Sequence, residues 1–348
     1  MSPSSPVGPK AAASQKAARA PSVTANDVAR IAGVSAMTVS RAINNPDRVP
    51  AATLAKVQAA IAKTGYVPNL LAGGLRSNKS RLVAALIPTL VGPIFNETVQ
   101  ALTEALNQHG YQLILGQSGY AESHEDALLS AIIGRRPDGI VLTGVSHSAD
   151  THRRLRAAGI PVVETWDLTP TPIDMLVGFS HVAVAEAVCR RFHQAGRRRL
   201  AVISADDERA QRRSHAFVAA ALNLGLAEPL VHLVPAPTTL GSGRAGLRSL
   251  LAQKPDLDGV FCSSDLLALG VLTETHALGV SVPGQLAVIG FGDLDFARDL
   301  HPALTTVRVD GSLIGREAAR CIVERAEGRT VPKRVIDIGF KIVERASV

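Results

Sequence analysis

Residues 32–44 combine a glycine turn with a short helix whose predicted outer side is small, polar and cationic. Gly33 permits a tight turn of positive φ between two helices, and Ser35 is placed to cap the second one. Outward side chains of this kind, with few acidic neighbours, suit contact with base edges in the major groove of DNA. An ordinary helical hairpin in a globular core is the alternative, but it accounts for fewer of these residues. The inward side is Val34, Val39 and Ile43, and the outward side is Ala36, Met37, Ser40 and Arg41.

Two further helices are needed to position that segment. One spans residues 24–32 and has a start at Thr24 that resembles a capping box. The other spans residues 51–64 and ends at Gly65, which is a typical C-cap. The sequence therefore predicts a small three-helix domain over residues 23–68. The apolar residues expected to face its core from these two helices are Val28, Ile31, Leu54, Val57 and Ile61.

The basic charge of the chain is concentrated at its amino-terminal end. Residues 1–80 hold ten Lys and Arg residues against Asp27 and Asp47, a net charge of +8, although the whole chain carries only +7. The remaining residues therefore sum to −1. A basic head on a nearly neutral body is the charge distribution of a phosphate-binding module joined to a different domain. A basic surface that served only solubility would have no reason to stop near residue 81.

The length of 348 residues allows more than one hydrophobic core. Cys189, Cys262 and Cys321 are widely spaced and form no C-x-x-C pair, which predicts buried thiols in a reducing compartment. Residues 1–22 are rich in Ala, Pro and Ser and lack the apolar segment of a secretory signal, so we expect a disordered tail there. The longest nearly uncharged apolar stretch, residues 82–95, is too short to span a bilayer. We therefore expect a cytoplasmic protein that binds no membrane.

From residue 81 onward, apolar β-branched runs alternate with amphipathic helical stretches. Runs that are apolar on both sides predict parallel strands in a sheet that helices cover on both faces. About 265 residues of this alternation indicate two α/β subdomains. In this architecture ligands bind beyond the carboxyl ends of the strands, here in the cleft between the two halves. The predicted strands are residues 82–87, 111–115, 139–142, 162–164, 175–179, 200–203, 230–234, 260–262 and 286–290.

Several segments of the chain together resemble the LacI/GalR family of transcriptional repressors. The resemblance extends over about residues 22–345 and implies a helix-turn-helix headpiece, a hinge helix and a two-lobed core similar to the periplasmic sugar-binding proteins. Within the family, residues 163–167 and 177–181 are most similar to the gluconate-utilisation repressors. The segments that carry the resemblance are residues 23–44, 65–69, 72–80, 258–270, 289–293 and 302–307.

The resemblance also implies a division of the chain and an assembly. Family members dimerise through the core and bind pseudo-palindromic double-stranded operators, so that protein and DNA symmetry match. The leucine heptad of family tetramers is missing here, and we therefore expect a homodimer. The implied segments are a tail (1–22), a headpiece (23–68), a hinge helix (69–80) and a core (81–348). Lobe 1 of that core is about residues 81–179 and 310–337, lobe 2 is about 180–309 and 338–348, and the expected crossings are near 179–180, 291–292 and 335–340.

Matching positions assign a set of DNA contacts to the headpiece and the hinge. Arg41 is placed to bond a guanine edge or a phosphate, whereas Ala36 and Met37 offer apolar contact, for example with a thymine methyl group. Leu75 matches the leucine that the family wedges into the minor groove at the operator centre. The two glycines before it disfavour a helix by about 1 kcal/mol each, so we expect the hinge to be unfolded away from DNA. The other assigned residues, for phosphate contact or capping, are Thr24, Ser35, Thr38, Ser40, Asn44 and Asn69.

Matching positions in the core assign an effector site. Arg213 falls where the family places an arginine on the effector, Asp167 where an aspartate takes ligand hydroxyls, and Phe179 where an aromatic wall stands. Gly292 occupies a position where many sugar-binding members have an aspartate, which favours an anionic effector, gluconate or a relative, over a neutral sugar. No cofactor is implied. The other assigned residues are Ser264, a polar contact usually made by Asn, Thr89 and Phe95 on the amino-terminal lobe, and Asp293 beside Gly292.

Other motifs in the chain favour plainer interpretations. Residues 241–246 satisfy G-x-G-x-x-G, but no acidic residue ends the next strand, so a glycine-rich helix start is favoured over a dinucleotide site. No nucleophile elbow and no H-E-x-x-H motif occur, and the ten histidines show no metal spacing, so we expect neither catalysis nor a metal. A sugar-binding receptor and a sugar-acid enzyme with an appended basic head are the alternative functions. The receptor would need a secretory signal, and the enzyme a paired acid and base or a phosphate loop.

Overall fold

The computed structural model describes residues 23–67, 79–120 and 122–348. The chain divides into two compact units, Met1–Asn78 and Lys79–Val348. The hinge residues 69–78, which include Asn69 and Leu75, lie outside the described residues, as does the tail 1–22.

Residues 23–67 of the amino-terminal unit form three helices. They are α1 (Ala25–Ala32), α2 (Ala36–Asn44) and α3 (Ala51–Thr64), with a 3-10 turn at Pro46–Arg48. Thr24 and Asp27 form a capping box at the start of α1, and Gly33 ends that helix with a φ of 65°. The Ser35 hydroxyl accepts the Thr38 N–H at 3.1 Å and so caps α2. The predicted helix-turn-helix is confirmed, together with the bounds of the third helix.

The core of this unit is small and made of short side chains. Val28, Val39 and Val57 are completely buried, and Leu54 and Ile61 pack against them while remaining partly exposed. The prediction that Ile31 is buried is wrong, since it is 45% exposed. The buried side of α1 is centred on Val28, Ala29 and Ala32. Residue 31 lies about 100° around the helix axis from that centre, which turns its side chain outward.

The carboxyl-terminal unit contains two six-stranded sheets. In the first sheet the strand order is β11-β5-β4-β3-β1-β2, and in the second it is β12-β10-β9-β8-β6-β7. All pairings are parallel except that of β12 with β10. The predicted class, parallel sheets flanked by helices, is confirmed. The strands are β1 (Leu82–Ile87), β2 (Gln112–Gln117), β3 (Gly139–Thr143), β4 (Val162–Thr165), β5 (Met175–Gly178), β6 (Leu200–Ala205), β7 (Leu230–Val234), β8 (Gly259–Cys262), β9 (Ala287–Phe291), β10 (Thr305–Arg308), β11 (Val335–Asp337) and β12 (Lys341–Val343).

Helices cover both sheets and define two lobes. Lobe 1 is the first sheet with α4, α5, α6 and α11, and lobe 2 is the second sheet with α7, α8, α9 and α10. None of the helices in the described residues is long and apolar enough to cross a membrane. The helices are α4 (Asn96–Gln108), α5 (Glu122–Ile133), α6 (Ala149–Ala158), α7 (His181–Gln194), α8 (Glu208–Asn223), α9 (Leu240–Gln253), α10 (Asp265–Leu278) and α11 (Gly311–Ala326), with 3-10 turns at Pro93–Phe95 and Asp295–Arg298.

The chain passes between the lobes three times. It leaves the first sheet after β5, returns after β10 to form α11 against α4, and crosses again between β11 and β12. The predicted crossing at residues 291–292 is therefore wrong, because β9 and β10 pair in the same sheet, with Thr305 opposite Ile289. The strand β10 was not predicted from the sequence. The second crossing lies after it, near residues 309–310.

The glycines of the G-x-G-x-x-G segment allow two helices of lobe 2 to approach closely. A Cβ atom on Gly243 would lie 2.3 Å from the Leu267 carbonyl oxygen, and one on Gly270 would lie 2.2 Å from that of Leu240. Atoms cannot approach so closely, so α9 and α10 pack backbone to backbone only because both residues are glycine. The segment therefore forms a glycine-rich helix start, as predicted. Thr239 caps it, accepting the Ser242 N–H at 3.1 Å.

This packing predicts opposite effects for two neighbouring substitutions. Gly243→Ala should destabilise the protein by about 1–3 kcal/mol, since the new methyl group overpacks the helix contact. Gly241→Ala is the matched control, because its Cβ would meet only the Thr239 hydroxyl at 3.7 Å. That change should leave stability unchanged or raise it by up to about 1 kcal/mol through helix propensity. Urea unfolding of both variants checks this, and equal stability of the two would contradict the close-packing argument.

Candidate functional sites

The outer side of α2 presents the residues predicted to contact DNA bases. Met37 is 68% exposed, and Arg41 is exposed with no ion-pair partner among residues 23–67. Ala36 differs from its prediction, because it is partly buried and packs against the core of the unit. Arg41 can therefore hydrogen-bond a base edge, and the exposed Met37 beside it can pack against one.

The polar residues predicted to contact phosphates are engaged in local hydrogen bonds. Ser35 and Thr38 share a hydroxyl hydrogen bond of 2.9 Å, and the Asn44 amide donates to the Ser40 carbonyl oxygen at 2.9 Å. Thr24 donates its hydroxyl to Asp27 at 2.7 Å. The bonds of Thr24 and Ser35 lie at helix starts, and that of Asn44 lies in the last turn of α2. Ser35, Ser40, Asn44 and Thr24 remain exposed. A residue can therefore both cap a helix and lie at a phosphate-facing surface.

A cavity of about 100 Å³ lies between the two lobes of the carboxyl-terminal unit. It has an aromatic wall and two arginines from one helix. Among the predicted effector residues, Thr89, Phe95, Arg213 and Ser264 line it, whereas Asp167, Phe179 and Asp293 do not. The lining residues that matter for the chemistry are Thr89, Phe95, Tyr120 and Trp166 from lobe 1, and His181, Asp207, Arg209, Arg213, Ser263, Ser264 and Phe291 from lobe 2.

Arg213 is the most deeply buried cation of this cavity. Its Nη1 donates to His181 Nδ1 at 3.0 Å, and its Nη2 donates to the Ser263 carbonyl oxygen at 3.1 Å. The guanidinium carbon lies 4.1 Å from the centre of the Phe291 ring. Burial lowers the pKa of Arg213 to about 10, so the group stays charged at neutral pH. Its buried Nε has no hydrogen-bond partner among the described residues.

Arg209 lies one helical turn before Arg213 and was missed by the sequence analysis. Its guanidinium carbon lies 5.4 Å from the centre of the Phe95 ring, and its Nε lies 3.6 Å from Asp207. Its Nη1 is also buried without a partner among the described residues. The spacing of four residues along a helix was the available signal, because it places both arginines on one face.

Thr89 and Ser264 reach the cavity as parts of local hydrogen-bonded turns. The Thr89 hydroxyl accepts the Val91 N–H at 2.9 Å. The Ser264 hydroxyl caps α10 by accepting the Leu267 N–H at 3.3 Å, and it lies 2.8 Å from the Thr238 hydroxyl. Both hydroxyls are therefore held in fixed positions by the backbone, on opposite sides of the cavity.

Asp167 lies in a neighbouring cavity and joins the two lobes. Its Oδ2 accepts Arg212 Nη1 at 2.6 Å, and its Oδ1 accepts the Leu168 N–H at 2.7 Å. Burial raises the pKa of Asp167, and the charge of Arg212 opposes that effect. A second contact between the lobes pairs Ser146 with Glu208, which also binds Arg212 at 2.9 Å. The sequence predicts that Asp167 takes hydroxyl groups of an effector beside Arg213. In the structure the Asp167 carboxylate instead binds Arg212 of the other lobe and does not line the cavity of Arg213.

Phe179 is completely buried and forms no wall of the cavity. Its ring packs 4.6 Å from His181 and 6.1 Å from both Trp166 and Phe291. The aromatic wall of the cavity is formed by Phe291, Trp166 and Phe95. Phe179 contacts two rings of that wall, Trp166 and Phe291, and supports them from within the core.

Asp293 is also directed away from the arginine pair. Its carboxylate accepts Arg345 at 2.6 Å and Arg308 at 3.3 Å, and it lies in a separate groove beyond Phe291. The structure therefore places Asp293 outside the cavity that Arg213 lines. Arg308 on β10 and Arg345 after β12 converge on it only in the folded sheet, so their pairing could not be foreseen from the sequence.

The three cysteines of the chain all lie in the carboxyl-terminal unit. Cys189, Cys262 and Cys321 are free and buried, as predicted, and burial raises the pKa of each thiol. Within residues 23–67, 79–120 and 122–348, no cluster of three His, Cys, Asp or Glu side chains could hold a metal ion.

A helix-turn-helix unit followed by a two-lobed α/β unit with a cavity between its lobes is the architecture of a ligand-responsive transcriptional regulator. Residues 24–69 match the family model described as bacterial regulatory proteins, lacI family, and residues 189–348 match that of a periplasmic binding protein-like domain. The HTH-type transcriptional regulator GntR of Pseudomonas aeruginosa is 36% identical over 326 residues, 93% of this chain and 95% of the relative. The chain belongs to the LacI family of bacterial transcriptional regulators.

Other relatives and solved structures agree with this assignment. GntR of Escherichia coli is 32% identical, with 92% of this chain and 97% of the relative covered. A LacI-family regulator from Silicibacter pomeroyi superposes with a TM-score of 0.88 at 33% identity, over 93% of this chain and 99% of that one. GntR from Chromobacterium violaceum superposes with a TM-score of 0.74 at 35% identity, over 76% of this chain and 98% of that one. These relatives are regulators and not enzymes, so the chain is a DNA-binding transcriptional regulator.

Proposed function

We propose that this regulator is a homodimeric repressor of sugar-acid catabolism that releases its double-stranded operator when gluconate or a close relative binds between the lobes. The observation that carries the proposal is the pair of arginines, Arg209 and Arg213, that line one cavity between the lobes. Among the described residues, the buried Arg213 Nε and Arg209 Nη1 have no hydrogen-bond partner. The similarity to regulators named GntR supports the same effector class. A 2-keto or phosphorylated sugar acid belongs to that class.

The charge balance of the cavity favours an anion. Arg209 and Arg213 supply two positive charges, whereas the nearby carboxylate of Asp207 caps α8 through the Ala210 N–H at 3.3 Å and faces Arg209. A buried donor without an acceptor is costly, and a carboxylate can accept several charge-assisted hydrogen bonds from guanidinium groups. The ligand that best completes these arginines is therefore an anion of small size.

The remaining walls suit the uncharged part of a sugar acid. The rings of Phe95 and Trp166 meet edge to face at 5.2 Å and, with Phe291, provide apolar surface for C–H groups. The hydroxyls of Thr89 and Ser264 provide polar contacts on opposite lobes. Because such a ligand would contact both lobes, it would stabilise their closed arrangement. Closure would change the spacing of the two hinges in the dimer. Operator affinity would fall only by the factor by which the ligand binds the state that cannot bind DNA more tightly than the state that can.

The same proposal assigns the operator contacts. Arg41 and Met37 would contact base edges, as the exposed residues of α2, with Ala36 beside them. Leu75 would enter the minor groove. The residues proposed for phosphate contact are Thr24, Ser35, Thr38, Ser40, Asn44 and Asn69.

Calorimetric titration of the full-length protein tests the effector assignment. Gluconate should bind at least about tenfold more tightly than glucitol, which has the same carbon chain without a carboxylate, since a charge-assisted hydrogen bond contributes about 1.5–3 kcal/mol. Gluconate should also release a palindromic operator in a gel-shift assay. If neutral hexoses bind and no sugar acid does, the anionic effector is refuted, while the assignment as a LacI-family regulator remains.

A further inference from the structure

His181 connects the buried arginine of the cavity to the opposite lobe. It begins α7 directly after the first crossing, and its side chain is only 2% exposed. One ring nitrogen, Nε2, lies 3.0 Å from the Trp166 carbonyl oxygen in lobe 1. The other, Nδ1, lies 3.0 Å from Arg213 Nη1 in lobe 2. The ring also packs 4.6 Å from Phe179, which fixes its plane.

The chemistry of the two partners determines the protonation of the ring. A carbonyl oxygen only accepts, so Nε2 must carry the hydrogen that bonds Trp166. A guanidinium only donates, so Nδ1 must be the bare nitrogen that accepts from Arg213. Both bonds form together only in the neutral tautomer with hydrogen on Nε2. An imidazolium would direct a donor at a donor and break the contact with Arg213.

The charges around His181 favour the same neutral state. The positive charges of Arg209, Arg212 and Arg213 lie near the ring. A nearby carboxylate oxygen, Asp167 Oδ2, lies 3.9 Å from Nε2 but binds Arg212 more closely, at 2.6 Å. Burial, reinforced by these cations, lowers the pKa of His181 well below its ordinary value. The ring therefore stays an acceptor for Arg213 throughout the neutral pH range.

We propose that His181 is the positioning residue for Arg213, fixing the orientation of the guanidinium beside the cavity and tying that orientation to the Trp166 carbonyl of lobe 1. With His181 and the Ser263 carbonyl each taking one hydrogen bond, two of the five N–H groups are used and the guanidinium plane is fixed against Phe291. The effector then meets a preorganised donor, which lowers the ordering cost of binding. This role rests on the proposed binding of a carboxylate by Arg213.

Two substitutions at this residue separate positioning from packing. His181→Leu has similar bulk but cannot accept from Arg213, and it should raise the Kd for gluconate by about thirtyfold, the value of one charge-assisted hydrogen bond. His181→Gln offers an amide N–H for Trp166 and an amide oxygen for Arg213, and it should keep the Kd within about fivefold of the wild-type value. His215→Leu, an exposed change on α8, is the control. Operator affinity should be unchanged in all three. The melting temperature should be unchanged in His215→Leu and should fall in His181→Leu, which leaves Arg213 Nη1 without its buried acceptor.

Titration calorimetry with sodium gluconate gives a decisive result in each case. Equal gluconate affinity in the wild type and His181→Leu would overturn the positioning role, as would equal loss in the Leu and Gln variants, which indicates packing alone. Failure of the wild type to bind gluconate would instead refute the proposed effector. In that case the 15N shifts of the His181 ring still test the inference. A neutral ring with hydrogen on Nε2 supports it, and an imidazolium or the Nδ1–H tautomer overturns it.

Discussion

Arg213→Ala is expected to give a repressor that binds its operator normally but no longer responds to the effector. The substitution removes a buried cation whose Nε has no partner among the described residues. Two charge-assisted hydrogen bonds to a carboxylate are worth about 3 kcal/mol or more, so the Kd for gluconate should rise about a hundredfold or more. The headpiece contains no residue of this cavity, and operator affinity should therefore stay within about twofold.

The measurement pairs calorimetry with a gel-shift titration of gluconate against a fixed operator complex. Arg316→Ala removes an exposed arginine from α11 and controls for the loss of one positive charge. Arg213→Lys keeps the charge but loses the parallel N–H donors with which a guanidinium binds both oxygens of a carboxylate. It should therefore recover only part of the gluconate affinity. Full release of the operator by gluconate from the Arg213→Ala protein would show that the effector binds elsewhere.

Arg41→Ala should weaken operator binding and relax the preference for one base pair in each half-site. A bidentate contact to a base is worth about 1–3 kcal/mol, and a dimer would lose two of them. The side chain is exposed and makes no ion pair within residues 23–67, so the fold of the unit should be unaffected.

A library of operator variants, read by gel shift, distinguishes base contact from general electrostatics. Lys63→Ala, an exposed charge near the end of α3, should weaken binding to all sequences alike or not at all. If Arg41→Ala keeps the wild-type base preference and loses affinity uniformly, Arg41 contacts phosphate only. Unchanged affinity together with unchanged preference would contradict the assignment of α2 as the DNA-reading helix.

Local signals explain why so much of the architecture could be predicted. The caps at Thr24, Gly33 and Ser35 act within four residues, and all three appear in the structure as expected. Apolar runs such as those of β1 and β6 are long enough to require burial on both sides, and these two strands are almost wholly buried. The edge strands β2 and β7 are more exposed. These features depend on the residue and its near neighbours, so the sequence contains them explicitly.

Features that depend on distant partners could not be predicted in the same way. Asp167 was expected to hold ligand hydroxyls, but its environment is decided by Arg212, 45 residues away in the chain. The environment of Asp293 is likewise determined by Arg308 and Arg345, which come near it only when β10 and β12 pair in the folded sheet. Phe179 directly follows β5 and Phe291 is the last residue of β9, so both lie at strand ends. Only the three-dimensional packing shows that Phe291 lines the cavity.

The bridge of Asp167, Arg212, Glu208 and Ser146 joins the lobes through protein groups alone. Part of the free energy that holds the lobes together therefore does not depend on what occupies the cavity. Under the proposed function, an effector bound between the lobes needs to supply only the difference. These contacts would then set the concentration at which the regulator responds, while Arg209 and Arg213 would set which molecule it responds to. The dose-response midpoint and the chemical selectivity of such a switch can consequently change independently during evolution.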